Sequence, residues 1–247
     1  MKVLIAFALL MVAGAAQAAD EIESKVNAAL AAESRPMDDR VRDENRAPLE
    51  TLNFFGMKDN MRVLELIPGG GWYTRVLAPV LAENGKLYVS LRTDHVREMV
   101  LNEPGFEQVQ VVETTGNVHR PKGSRVYLID DFDFALSDLD MVLTFRNMHN
   151  FDASGRARIN KAVFTVLKPG GLYGIVDHTR RHMEMDNREN RRRLDPVLAI
   201  REVLEQGFEL VDFSDLHFRA DDELEYEVGR RSVSGNTDRF TLLFRKP

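Results

Sequence analysis

From Met61 onward, short apolar runs alternate with longer amphipathic stretches, the pattern of an α/β fold with a mostly parallel sheet. The runs predict seven strands, at Arg62–Ile67, Lys86–Ser90, Val109–Val112, Leu139–Phe145, Leu172–Asp177, Phe208–Phe213 and Phe240–Phe244. Helices are predicted over Tyr73–Ala82, near Asp94–Leu101, and over Ala153–Leu167 and Asp195–Gln206. Lys168-Pro169-Gly170-Gly171 ends the third of these, because proline cannot continue a helix and glycine tolerates the reversal. Upstream, Ile22, Val26 and Leu30 recur every four residues and predict a short amphipathic helix between Asp20 and Ser34, before Pro36 interrupts it. The alternating charges of Asp38–Arg46 predict a second helical stretch with a solvated face. The chain carries no internal repeat and no low-complexity tract.

The N-terminus follows a different pattern. Met1-Lys2 precedes an apolar run from Val3, which ends at Ala16-Gln17-Ala18. This order is that of a secretory signal peptide, with cleavage expected after Ala18. The run is shorter than the roughly 18 to 20 apolar residues that a spanning helix needs, and no later stretch is apolar enough to insert. The expected organisation is a signal peptide at 1–18, a helical extension at 19–58 and an α/β domain at 59–247. A periplasmic or secreted location follows from it.

Composition narrows the chemistry. The absence of cysteine removes a thiolate nucleophile, a thiolate zinc site and a disulfide frame together. Lys+Arg 33 against Asp+Glu 39 gives a net charge of -6, which argues against a nucleic-acid partner. The sequence holds no GxxxxGK[ST] loop, GxSxG elbow or HExxH helix, so NTPase, hydrolase and metalloprotease readings have no support. His178 and His182 have HxxxH spacing with Glu184 nearby, but no helix is predicted there and no metal site is expected.

The most informative segment is Val63-Leu64-Glu65-Leu66-Ile67-Pro68-Gly69-Gly70-Gly71-Trp72-Tyr73-Thr74, a strand running through three glycines into a helix. In an open α/β sheet this turn faces the ligand crevice and offers free backbone N–H donors to a nucleotide-like molecule. Gly69-x-Gly71 is present, but Thr74 stands where a dinucleotide fingerprint has its third glycine. The segment resembles motif I of class I S-adenosylmethionine-dependent methyltransferases: Glu65, Gly69 and Gly71 match, and Ile67 replaces the first glycine. Leu139–Phe145 resembles that family's fourth-strand motif, and Val166–Leu172 its turn before strand five. Weaker likenesses lie at Gly207–Leu210 and Arg239–Arg245. With the leader, the Pro68–Thr74 turn resembles a group of exported predicted methyltransferases.

The resemblance implies a Rossmann-like seven-stranded sheet flanked by helices, and S-adenosylmethionine as cofactor. The residues it implies for cofactor binding are Glu65, Pro68, Gly69, Gly70, Gly71, Trp72, Tyr73, Asp94 and Asn147. Leu91 occupies the place of the family's ribose-binding acid, and Asp94, three residues on, is the substitute. Ile67-Pro68 makes the turn if the backbone there stays at negative φ. Gly71→Val is then predicted to abolish binding with the fold largely intact. Trp72 and Tyr73 shape the pocket on this reading, or simply pack. The Asp38–Arg46 stretch would cover the cofactor site, as in similar proteins.

Methyl transfer is an in-line displacement, so a base is needed only for an acceptor that carries a proton. His149, after strand four, is the candidate base or a hydrogen-bond partner of a neighbouring loop. Asp177 and His178, after strand five, orient the acceptor, form an acid/base pair or cap a turn. The insert Thr179–Arg193, rich in arginine, either attracts an anionic acceptor or forms a lid paired with its own Glu184, Asp186 and Glu189. The expected function is an exported methyltransferase acting on a small or lipid-linked acceptor. The alternative is a binding protein of the same fold, without methyl transfer, for a nucleoside-like or anionic ligand. It is favoured by Leu91, by Ile67 and by the inability of a charged cofactor to cross a bilayer unaided. A nicotinamide-dependent oxidoreductase is a weaker third reading, disfavoured by Thr74.

Overall fold

The computed structural model describes residues 21–247, and the expected signal peptide lies outside them. Four helices come first: α1 over residues 21–31, α2 Met37–Arg40, α3 Asp43–Arg46 and α4 Pro48–Phe54. The alternating segments follow as β1 Arg62–Leu66, α5 Thr74–Leu81, β2 Lys86–Ser90 and α6 Asp94–Val96, which continues into a π-helical turn at Arg97–Leu101. Next come β3 Gln110–Val112, β4 Val118–His119, β5 Leu128–Ile129, β6 Leu139–Phe145 and a 3-10 turn at Met148–Asn150. The chain ends with α7 Ala153–Val166, β7 Leu167–His178, α8 Pro196–Leu204, β8 Glu209–Ser214 and β9 Arg239–Arg245.

Seven strands form one sheet in the order β3-β2-β1-β6-β7-β9-β8. The first five in that order, β3, β2, β1, β6 and β7, run parallel, and β9 inserts antiparallel between β7 and β8. All seven predicted strands are present with ends shifted by a residue or two, except that β7 begins at Leu167. There Leu167 pairs with Leu139, and a register shift before Met141 lets Lys168–Gly171 bulge out of the ladder. The ribbon of β4 and β5 was not predicted; its strands have two residues each, too few to show an alternation.

Successive side chains of a strand point to opposite faces, and the sheet uses this to build two cores. Leu64, Val142 and Tyr173 pack against Ile159 and Val163 of α7 and Val203 of α8. Val63, Met141 and Leu143 pack against Leu77 of α5, Val26 of α1 and Leu52 of α4 on the other face.

The Asp38–Arg46 stretch departs in part from the solvated helix its charges suggest. It forms the two short helices α2 and α3, with Asp39 and Arg46 buried. Its polar groups are used internally. Arg35 grips Asp43 through two 2.7 Å bonds, and Trp72 Nε1 donates to the Asp39 carbonyl at 2.9 Å. Ala47, at φ 37°, then turns the chain into α4. Asp38, Arg42 and Glu44 keep the solvated face that the charges predict, while Asp39 and Arg46 turn inward as part of a cover.

Candidate functional site

Three neighbouring strands end at the same edge, and each leaves the sheet through a non-glycine residue in the left-handed region: Ile67 at φ 53° after β1, Leu91 at 63° after β2 and Arg146 at 63° after β6. An L-residue in that region costs about 1–2 kcal/mol, and such strain collects at ligand sites. Interstrand bonds hold it in place, from Ile67 N–H to the Ser90 carbonyl (2.8 Å) and from Arg146 N–H to the Val176 carbonyl (2.6 Å). Ile67 therefore does not turn at negative φ, as the sequence reading required. It takes a positive φ, which glycine adopts without strain.

Beyond these strand ends lies a cavity of about 490 Å³, whose floor is Glu65, Ile67, Pro68, Gly69 and Gly70. Glu65 is buried under the turn and accepts a 2.6 Å bond from Thr74 Oγ1. Burial pushes its carboxyl up to about 7 from 4.5, against the opposing pull of that bond. The native state therefore holds the proton more tightly than the unfolded chain. Stability is full below pH 4.5, falls as pH rises towards 7 and levels off above it. Glu65→Gln keeps an acceptor for Thr74 and should flatten this slope, leaving the variant up to about 3 kcal/mol more stable than the parent at pH 8. Urea unfolding at several pH values measures it, and an unchanged slope would count against Glu65 as its source.

Trp72 and Tyr73 both line the cavity and pack. Tyr73 stacks on Phe145 with ring centroids 3.4 Å apart, and its hydroxyl donates to the Arg46 carbonyl at 3.3 Å. Asn147 lines the cavity too, but its amide donates to the carbonyls of Ile67 (3.0 Å) and Phe145 (3.1 Å), tying the β6 end to the β1 end. Two of the residues implied for cofactor binding stand elsewhere. Asp94 is exposed on α6, outside the cavity lining, although the next residue, His95, lies against Gly70. Gly71, at φ 80°, is buried against the π-helical turn, where a Cβ would stand 2.3 Å from Val100 Cγ2. The expectation that Gly71→Val leaves the fold intact is thereby corrected.

The three catalytic candidates come together. His149, on the 3-10 turn after β6, directs Nδ1 at Asp177 Oδ1 (2.5 Å), and its backbone N–H donates to Oδ2 (3.0 Å). Asp177, near the end of β7, is fully buried and also accepts the His178 N–H at 2.7 Å. In this arrangement the Nδ1–H of His149 donates to the carboxylate, which leaves Nε2 as the basic nitrogen. His178 has another role: its Nδ1 pairs with Thr237 Oγ1 at 2.8 Å, and burial, with His149 nearby, holds it well below 6.5 and neutral. His182 pairs with Asp195 at 2.9 Å, so the two histidines of the HxxxH spacing have different partners.

The insert Thr179–Arg193 is paired, but mostly with acids outside it. Arg180 meets Asp186 within the insert, whereas Arg192 binds Glu227 and Arg193 binds Asp222. The stretch between β8 and β9 is thus clamped over the cavity, where Gly235 and Thr237 join Arg192 in the lining. Sequence reasoning missed the cavity's cationic character. Arg46 of α3 and Arg239 of β9 line it with Arg146, and none of the three forms an ion pair among the described residues. Burial, then Arg146, pushes Arg46 down to about 8; the same causes bring Arg239 to about 10.

No protein-family model matches the sequence, and no curated protein matches it. Solved structures do match. A SAM-dependent methyltransferase from Aquifex aeolicus aligns over 85% of this chain and 95% of its own, with TM-score 0.59 and 17% identity. The glycopeptide N-methyltransferase MtfA aligns over 84% and 98%, with TM-score 0.55 and 18% identity. The [4+2]-cyclase SpnF aligns over 82% and 80%, with TM-score 0.56 and 16% identity. Among the described residues, no helix is long and apolar enough to cross a membrane. The fold is that of the class I methyltransferases: a seven-stranded, mostly parallel sheet with helices on both faces. Since the same fold carries a cyclase, the reaction must be argued from the site.

Proposed function

We propose that the protein is an S-adenosylmethionine-dependent methyltransferase in which His149 removes the acceptor's proton. The observation that carries this reading is the His149–Asp177 pair at the carboxyl ends of the strands, whose His149 lines the cavity that the glycine turn floors while Asp177 is buried behind it. The residues of the turn fit the cofactor. A Cβ built on Gly69 meets no heavy atom within 4 Å, so the backbone there is open to a ligand, and Glu65 lies beneath as an anion above pH 7. On the α6 side the residue that flanks the turn is His95, against Gly70, while Asp94 lies outside the cavity lining. Bound there, the cofactor supplies an electrophilic methyl group. The Tyr73–Phe145 stack lines one side of the cavity with aromatic surface. His149 Nε2 accepts the proton of a hydroxyl or amine, and the buried Asp177 stabilises the imidazolium that results. The leader at 1–18 supports a periplasmic or secreted site of action, and a small or lipid-linked acceptor belongs to the same proposal.

A second reading is supported by one observation. Leu91, at the end of β2, puts a buried hydrocarbon where the resembling family has an acid, and it does not line the cavity. On that reading the protein binds a nucleoside-like or anionic ligand without transferring methyl. Calorimetric titration of the purified protein with S-adenosylmethionine and S-adenosylhomocysteine, with NAD as control, separates the two. Saturable one-to-one binding of the sulfonium pair alone supports the enzyme, and folded protein that binds neither removes it. With an acceptor in hand, His149→Ala should lower kcat about 10²- to 10⁴-fold at unchanged cofactor affinity.

A further inference from the structure

The methyl donor is a cation at sulfur and at its amino group and carries one carboxylate, which leaves most of the positive charge of this cavity unanswered. Elsewhere the fold obeys a strict rule: Arg35, Arg75, Arg156 and Arg193 are buried, and each meets a carboxylate, from Asp43, Glu103, Glu202 and Asp222 respectively. Arg46 and Arg239 are buried without one, and both line the cavity with Arg146. The same three guanidinium groups border a small recess behind Tyr73 and Phe145.

Arg46 is 5% exposed and finds only the face of Trp72, 4.3 Å from the ring centroid. The Arg239 side chain donates to the main-chain carbonyls of Asn45 and Gly235, and its buried Nε has no partner. Like charges without an ion-pair contact in a low-dielectric site oppose folding, and Glu65 and Asp177 act on them only at longer range, so a fold that pairs its other buried arginines keeps these for something that binds there. Three forks arrive from α3, from the end of β6 and from the start of β9. A single carboxylate, with one charge and two oxygens, leaves at least one fork unmatched. A phosphoryl group has two charges and three terminal oxygens to share among them.

We propose that the acceptor carries a phosphoryl group, held among Arg46, Arg146 and Arg239, and presents its hydroxyl or amine to His149. The assignment of the bound anion as the methyl acceptor rests on the methyltransferase reading; the anion site itself does not.

Calorimetric titration with sn-glycerol 3-phosphate tests the site, with citrate as the carboxylate control and phosphatidylcholine vesicles containing phosphatidic acid as the lipid arm. Saturable binding of glycerol 3-phosphate assigns a soluble phosphate ester. Retention on the phosphatidic acid vesicles without it assigns a lipid headgroup, and both outcomes support the phosphoryl site. Binding of citrate alone, or of none of the three, overturns it. Arg146→Met should weaken the phosphate probe at least about tenfold, while the thermal midpoint of the free protein stays level or rises, because a repulsive charge is gone; Arg239→Met should weaken the probe as much, but it also gives up the bonds to the Asn45 and Gly235 carbonyls, so only its affinity bears on the site. A lowered midpoint with unchanged anion binding would make these arginines structural and sink the proposal. Titration with S-adenosylmethionine in parallel separates the two readings: anion binding without it removes methyl transfer and keeps the site, and the converse removes the site alone.

Discussion

Asp222→Ala is expected to destabilise the protein by about 3–5 kcal/mol, the range for removing one partner of a fully buried ion pair. Neither side chain of the Arg193–Asp222 pair is exposed, and both guanidinium nitrogens reach the carboxylate at 2.9 Å. Asp222 also accepts N–H bonds from Leu224 (3.0 Å) and Asp238 (2.7 Å), and Arg193 donates to the carbonyls of Tyr226 and Thr179. The pair thereby fastens the insert after β7 to the segment that leads into β9. Its loss leaves a buried guanidinium without a counter-charge and frees the wall that carries Arg192 and Thr237. Removing both charges with Arg193→Met and Asp222→Leu should recover most of the loss, since the penalty comes from the stranded charge. Urea unfolding of the single and double variants measures this, and a double variant as unstable as the single would show that the main-chain bonds carry the clamp.

Gly71→Val is the second large effect. The new side chain would overlap Val100 Cγ2 and approach Val96 Cγ2 at 3.1 Å, on a backbone at φ 80°. Overpacking and a left-handed β-branched residue together should cost about 3 kcal/mol or more. Gly69→Ala makes the contrast. Its methyl projects into open space at the cavity floor, so stability should fall by no more than about 1–2 kcal/mol while ligand affinity drops. Thermal unfolding and cofactor titration of the two variants should separate along those lines. If Gly71→Val melted like the parent, the packing of the turn on α6 would be wrong.

The strands were legible because a doubly covered parallel sheet needs near-continuous apolar runs, and Val63–Leu66 and Met141–Phe145 are such runs. The position of His149 and Asp177 at strand ends was legible from chain order, and strand ends are where α/β sheets bind ligands. The hydrogen bond between the two residues was not, since it depends on how β6 and β7 align. Gly71 shows a limit of motif reading: the motif needs a glycine there, but its neighbours on α6 and the π-helical turn decide why. Arg46 and Arg239 carry no local signal. Each looks like one more surface cation in a chain with Lys+Arg 33, and only the tertiary fold buries them without partners.

The bond between Arg239 and the Asn45 carbonyl joins groups 194 residues apart. A ribosome must release the chain through Arg239 before this corner of the molecule can close. The cavity therefore assembles only after the strands that support it have emerged. Any nascent chain or C-terminal truncation ending before β9 lacks Arg239, and with it the third cation of the cluster.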